Sequence, residues 1–413
     1  MAAIARQINK TNNAYKYLNY NKGGMTMEKN NSSNISIHTF TVTYSCDSKF
    51  YNALLRCVTE YTQKNNKTCY PREWTSTQNT KIKIKTFSTN SLREKGINEI
   101  TFKTIYAEAS STSDLATIAR YVLLLVNPQK LLGEDQFYIT EIVKQSNLDK
   151  ICKCIDFILS ELCPHLSAFS SHRKFSRIDY CTNLWFLSND IAQEYLRLLK
   201  AAWIPYNFSM DERYDPIQHR QVPGKYDFSI KCKSYEFSFY LKQKQMLSRK
   251  SDFNYPDDEI AHADGQLRME LRANRRKLHR IQKTSMYTEE ALITEAPNLS
   301  IPTFSKNISY MYGSGDFYSY SEAKNIIKDS PFSKKAKEQL LYILKEVKKY
   351  RSLDPDKNGL NPQKLRRYIK EYFNVLGLSP ITIPKRYSFD YYPNPLQYIF
   401  QNNTYYLKSN DDM

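Results

Sequence analysis

Residues 226–233, YDFSIKCK, and the start of 235–245, YEFSFYLKQKQ, alternate apolar and polar side chains at period two, with the single residue Ser234 between the two segments. Strand periodicity on both sides of so short a break lets the two segments form a β-hairpin, and a hairpin joins antiparallel strands. Outward from that pair the same alternation recurs. Upstream, FSRIDYCTNLWF (175–186) reads as a strand followed by a helix, DIAQEYLRLLKAA (190–202). Downstream, QLRMELRANRRKLHRI (266–281) begins as a strand and turns basic, after SDFNYPDDEIAHADG (251–265), which reads as a loop.

Further out, ISIHTFTVTYSC (35–46) alternates as a half-buried strand, and KFYNALLRCVTEYTQK (49–64) carries a helical stripe through Tyr51, Leu54, Leu55 and Val58. KIKIKTF (81–87) and EITFKTIYAEA (99–109) read as strands, TSDLATIARY (112–121) as a short helix, and YVLLLVNP (121–128) as a buried strand stopped by Asn127 and Pro128. A further helix is expected over 148–163. From Tyr320 the pattern turns helical over 321–330, 333–353 and 361–377, ended by Gly377, Pro380 and Pro384. The expectation is an α+β fold: a mobile tail at 1–34, an antiparallel-sheet, RRM-like body at 35–300, and a helical, basic C-terminal domain at 301–413, jointed near PNLSIPTFSKN (297–307). No internal repeat is evident.

At 413 residues the chain can bury a sizeable core in more than one domain. Lys+Arg 60 against Asp+Glu 42 leaves a net charge of +18, a field that attracts polyanions. No stretch approaches the ~20 apolar residues of a spanning helix, and the N-terminus has no apolar leader core, so a soluble, unsecreted, cytoplasmic protein acting without a membrane is expected. The 8 cysteines lack paired CxxC spacing and read as small buried hydrophobes rather than zinc ligands. The 33 tyrosines have two readings, surfaces that stack unpaired bases or the residue bias of an AT-rich genome.

Three segments combine acidic, basic and phenolic groups on strands, where residues two apart share a sheet face. In SRIDYCTN, Arg177 and Asp179 share a face; a surface ion pair is the plain structural alternative. In SFYLKQKQ, read as continuous strand, Tyr240 and Lys242 share a face. A lysine there can lower the phenol pKa and neutralise a phosphate attacked by the tyrosine. Tyr235 is the lesser rival. In LRMELRANRRKLHR, Arg268, Glu270 and Arg272 face one way and Leu267, Met269 and Leu271 the other. Glu270 with Asp179 can offer carboxylate oxygens to Mg²⁺ or Mn²⁺. Arg177, Arg268, Arg272, Arg275, Arg276 and Lys277 are the candidates to grip DNA phosphates. The basic C-terminal helices divide evenly between a duplex-binding surface and the solvated side of a bundle buried through Leu340, Leu341, Leu344 and Val347.

In order and approximate spacing these segments resemble the gene II/X family of phage and plasmid rolling-circle replication proteins. SRIDYCTN is similar to the family's SRID strand, FYLKQKQ to its strand bearing the nicking tyrosine, and LRMELRANRRKL to its RFE strand with a basic tail. VLLLVNPQKLLG (122–133) and LGLSPITIP (376–384) resemble two further elements, so the likeness covers roughly 35–385. The family is thought to be akin to the HUH and Rep-trans endonucleases, which implies an HUH-like palm of antiparallel sheet. The six histidines include no His-x-His pair, so metal ligation would rest on carboxylates, helped by His38 or His262. The resemblance implies Tyr240 as nucleophile beside Lys242, Asp179 and Glu270 at a metal site, a 5′-phosphotyrosyl intermediate on single-stranded origin DNA, and a host helicase and polymerase as partners in a bacterial cell. A conjugative relaxase with the same chemistry and a non-catalytic DNA-binding regulator are the rivals. An RNA-binding reading lacks any RNP-type sequence.

Overall fold

The computed structural model describes residues 35–76, 79, 81–108, 115–133, 145–164, 173–215, 220–250 and 255–400; the expected tail at 1–34 lies outside them. The architecture is α+β, built on one large sheet in which every neighbouring pair is antiparallel. Its strands are β1 (Ser36–Ser45), β2 (Cys69–Thr75), β3 (Ile82–Thr89), β4 (Ile97–Glu108), β5 (Leu115–Val126), β6 (Arg173–Trp185), β7 (Ser209–Met210), β10 (Asp227–Lys231), β11 (Tyr235–Leu241) and β12 (Gln266–Asn274), in the spatial order 2-3-4-5-1-6-12-11-10-7. The short pair β8 (Glu212–Asp215) and β9 (Arg220–Pro223) stands apart. The β10–β11 hairpin read from the sequence is present, with Asp227 opposite Tyr240.

Alternation decides which face is packed. Ile178, Tyr180 and Leu184 of β6, Leu267, Met269 and Leu271 of β12, and Phe237 and Phe239 of β11 are all buried on one side. Helices Asn189–Leu199 and Ala296–Tyr312 cover that side; Phe237 meets Phe304 edge-on at 5.5 Å, and the Tyr180 hydroxyl donates to the Leu292 carbonyl at 3.0 Å. Arg177, Asp179, Asn183, Arg268, Glu270, Arg272 and Tyr240 occupy the other face, because their registers pair them with one another across the strands.

Several elements differ from their sequence reading. Leu115–Tyr121 is strand, the first half of β5, because it pairs with β4, with one register shift at Ile118. The expected loop 251–265 contains the helix Asp257–His262, with 251–254 outside the described residues. The expected joint at 297–307 is helical inside Ala296–Tyr312 despite Pro302, and residue 300 is therefore mid-helix. The C-terminal part carries the expected helices Tyr320–Asp329, Lys334–Tyr350 and Pro362–Tyr368. It also holds a three-stranded sheet of Asp316–Ser319, Leu378–Ile383 and Tyr391–Tyr392. The buried hydrophobic core is continuous from the large sheet into that part; the Tyr195 hydroxyl donates to the Pro393 carbonyl at 2.8 Å and Tyr312 to that of Leu199 at 2.9 Å. Of the basic helix Lys334–Tyr350, Leu340, Ile343, Leu344 and Val347 form the buried side. Among the described residues no helix is long and apolar enough to cross a membrane.

Candidate active site

Four adjacent strands, β1, β6, β12 and β11, carry the polar cluster. Asp179 of β6 lies opposite Thr39 on one side and Arg272 on the other. Only 1% of it is exposed. Its carboxylate accepts from Thr39 Oγ1 at 2.6 Å and Arg177 Nε at 2.8 Å, and Arg272 Nε stands 3.5 Å away. Arg272 also donates through Nη1 to Glu236 at 2.9 Å. Arg177 and Asp179 thus form an ion pair, but one whose acid is fully buried rather than set on the surface.

Arg268 is 2% exposed, and its guanidinium meets neutral partners. Nε donates to Asn183 Oδ1 at 2.9 Å, and Nη1 lies 3.1 Å from His38 Nδ1. A guanidinium only donates, so Nδ1 must accept, which leaves the imidazole proton on Nε2. That nitrogen faces Glu270 Oε1 at 3.9 Å. The ring is held neutral: burial first, then the charges of Arg268 and Lys242, push its pKa well below the usual histidine range. His38 reaches the cluster because the β1–β6 register shifts between Ile37 and Thr39, a bulge that re-aims one side chain.

Tyr240 lies opposite Arg268, and its hydroxyl donates to Glu270 Oε1. Burial and the neighbouring Glu270 charge raise the phenol pKa well above its ordinary value. Burial, then Asp179, likewise raises the Glu270 carboxyl, against the pull of Arg268. Burial therefore disfavours the charged form of both groups, and the phenol carries the proton of the hydrogen bond between them. Lys242 does not continue the strand: β11 ends at Leu241, and Lys242 opens the helix Lys242–Ser248. The alternation that placed it beside Tyr240 consequently fails one residue early. It still lines the same cavity, half-buried, with Nζ 3.4 Å from Gln245 Oε1. Burial, then Arg268, lowers its pKa to about 7.

A cavity of about 500 Å³ gathers His38, Arg177, Asp179, Tyr240, Lys242, Arg268, Glu270 and Arg272, with Arg249, Tyr255 and His262 from the segment before β12. A second, of about 540 Å³, shares Tyr240, Gln245, Arg249, Glu270 and Arg272 with it and extends toward β10. The phenol thus sits where two lobes of one groove meet. Gly265, which leads into β12, keeps the rim close: its φ is +70°, and a Cβ there would stand 2.0 Å from the Phe186 carbonyl oxygen.

The other sequence candidates fall elsewhere. Arg275 donates to the Phe175 carbonyl at 2.9 Å and to Glu289 at 2.8 Å, Arg276 is exposed, and Lys277 lies 5.3 Å from the ring of Tyr235. None of the three lines the cavity. Tyr235, five residues from Tyr240, points to the packed face and donates to Asn307 Oδ1 at 3.1 Å. His279 is exposed, and His165, His172 and His219 lie outside the described residues. Sequence reasoning missed Thr39 and Asn183; for Asn183 the signal was present, since it is four along the same strand from Asp179 and so on the same face.

Asp179 and Glu270 face the same groove with oxygens engaged by neighbouring side chains. Among the described residues no group of three or more His, Cys, Asp or Glu side chains is placed to hold an ion. Asp179 is satisfied by Thr39 and two guanidinium groups, and Glu270 by the phenol. The cysteines among the described residues are all free thiols, with Cys163 and Cys181 buried.

No family model matches the sequence, and no curated protein matches it. Among solved structures, the chain is similar to the rolling circle replication initiator protein from Geobacillus stearothermophilus. The match covers 68% of this chain and 86% of that one, at 8% identity and a TM-score of 0.29. A likeness that low says nothing of function by itself.

Proposed function

We propose that this protein initiates rolling-circle DNA replication, nicking and resealing single-stranded origin DNA through Tyr240. The observation that carries the reading is the Tyr240 hydroxyl hydrogen-bonded to Glu270 inside a groove lined by Arg268, Arg272 and Lys242. Those are a nucleophile, a base in contact with it, and cations for the phosphate. The order of SRID-, YLK- and RFE-like segments, now neighbours on three adjacent strands, supports the same reading.

Every step can be written with the chain's own groups. A scissile phosphate enters between Arg268 and Arg272. Tyr240 passes its proton to Glu270 Oε1, and the phenolic oxygen forms a bond to phosphorus. As the bond from phosphorus to O3′ breaks, Lys242, poised near neutrality, gives a proton to the leaving oxygen. The products are a 5′-phosphotyrosyl enzyme and a free 3′-OH, which a host polymerase would extend while a host helicase opened the duplex. The retained phosphoester energy allows resealing without ATP, and no GxxxxGK[ST] loop occurs in the sequence. The test is Tyr240→Phe. Nicking of a supercoiled origin plasmid and the covalent adduct should vanish while oligonucleotide binding stays within a few-fold; persistent nicking, or an adduct mapped by mass spectrometry to another residue, overturns the proposal.

A further inference from the structure

The face that carries Tyr240 does not end at the cavity. Thr41 lies opposite both Arg177 and Leu125, and Leu125 lines the cavity, so the registers carry this face onward across β5, β4, β3 and β2. Leu123 pairs with Thr101 and Tyr121 with Lys103; Lys103 pairs with Thr86, which pairs with Arg72; Trp74 pairs with Ile84 and Tyr70 with Ser88. The alternate residues Ile100, Phe102, Val122 and Leu124 point the other way and are buried. There Phe102 meets Tyr51 of the helix Ser48–Lys64 edge-on at 5.5 Å. One side of β4 and β5 is therefore core and the other reaches solvent, with Lys103 and Tyr121 half-buried; on the edge strand β2, which reaches solvent on both sides, Tyr70 is 48% and Trp74 44% exposed and Arg72 is exposed.

We propose that this half-sheet is a track for single-stranded DNA leading to Tyr240, with bases stacked on Trp74 and Tyr70 and phosphates held by Arg72 and Lys103. Three observations support that occupant. The face carries the cations Arg72 and Lys103, and the carboxylate on it, Glu99, stands at the groove end, where it accepts from Thr101 Oγ1 at 2.8 Å. Tyr70 heads a row of Ser88 and Thr101 and Arg72 a row of Thr86 and Lys103, while Trp74 heads the apolar row Ile84, Ile105 and Ala119; the Ser88 and Thr101 hydroxyls, 2.8 Å apart, already satisfy each other. It is also continuous with the groove, seven strand intervals from β2 to β11, or roughly 34 Å at the usual spacing. Aromatic platforms beside cations bind unpaired bases without reading their sequence.

This inference rests on the proposed nicking reading for where the strand leads, and its test does not depend on cleavage. In the Tyr240→Phe background, Trp74→Ala and Tyr70→Ala should each weaken binding of a long oligothymidylate by about tenfold. A short oligothymidylate spanning only the groove should bind unchanged. Trp74→Phe, which keeps a stacking ring, should bind nearly normally, and tryptophan fluorescence should be quenched by the long oligonucleotide only while Trp74 is present. Equal affinity of Trp74→Ala and its parent for the long strand overturns the track, as does a Trp74-dependent preference for duplex or for self-association. If the wild type fails to nick but long-strand binding still depends on Trp74, the catalytic reading falls and the track stands.

Discussion

Replacing Glu270 by Gln keeps an oxygen to accept the Tyr240 hydroxyl and removes only the base. A positioned general base contributes on the order of 10²–10⁴ in rate, which is about 3–5 kcal/mol of barrier at 1.36 kcal/mol per tenfold. Single-turnover nicking of an origin oligonucleotide, read as covalent adduct on a denaturing gel, should slow by that factor while affinity for the oligonucleotide is retained. The pH profile adds a second readout. Because burial and Asp179 raise the Glu270 pKa, the wild-type rate should climb as pH rises through that raised value, and Glu270→Gln should lack the limb. Stability moves the opposite way. A carboxyl whose folded pKa exceeds its unfolded one stabilises most below the unfolded value, and that contribution is lost as pH rises through the folded value. Wild type should therefore lose stability relative to Glu270→Gln across mildly acid pH, as urea melts would show. Two results refute the reasoning: a rate within threefold of wild type, or a faster one. The second would mean that Glu270 acts only by suppressing the phenolate, since its charge is among the causes that hold the Tyr240 pKa up.

Lys242, with its pKa lowered to about 7, should lose its acid function as pH rises through neutrality. Lys242→Arg keeps the charge but cannot give up a proton, so it should slow nicking and lack the alkaline limb; a variant that nicks at the wild-type rate with the limb unmoved removes Lys242 as the proton donor. Asp316 is buried among donors from Asn394 N at 2.8 Å, Tyr391 at 3.0 Å and Gln397 at 2.6 Å, and its pKa is raised to about 6 from 3.8. Its contribution is fully present below about pH 4 and is lost as pH rises through about 6, on the order of 3 kcal/mol. Asp316→Asn should flatten that slope in urea melts, and a slope that survives assigns it to other groups.

Period-two alternation made β1, β3, β4, β6, β10, β11 and β12 legible, because apolar and polar side chains alternate along much of each, even in β3, which is only partly buried. The same rule put Asp179, Arg268, Glu270, Arg272 and Tyr240 on shared faces within their strands. It could not say that the three strands are neighbours, since pairing is a long-range choice; 30 residues separate Tyr240 from the Glu270 it contacts. It also failed where an element ends. Nothing local marks Leu241 as the last strand residue before Lys242 starts a helix. The bulge that delivers His38 is invisible without its partner strand. Leu115–Tyr121 suited either helix or strand until β4 supplied the ladder, and Pro302 argued against a helix that tertiary packing of Phe304 and Ile308 secures.

The metal question turns on competition for Asp179. Arg177, Lys242, Arg268 and Arg272 stand nearest the carboxylates Asp179 and Glu270 in a groove whose rim adds charges of both signs, with His38 neutral. A hard divalent ion needs several oxygen ligands, and Asp179 gives oxygens to Thr39 and Arg177, with Arg272 Nε 3.5 Å away. Mg²⁺ or Mn²⁺ at that carboxylate competes with these guanidinium groups. Arg177→Ala should then tighten Mn²⁺ binding, measured by calorimetry without DNA, and lower the Mn²⁺ needed for half-maximal nicking. Asp179→Asn should abolish that binding and, by removing the buried partner of Arg177 and Arg272, lower stability in urea melts. If wild type nicks at full rate in EDTA and Arg177→Ala slows it, the guanidinium groups themselves carry the phosphate charge, and the carboxylate pair serves to hold the arginines and the phenol in place.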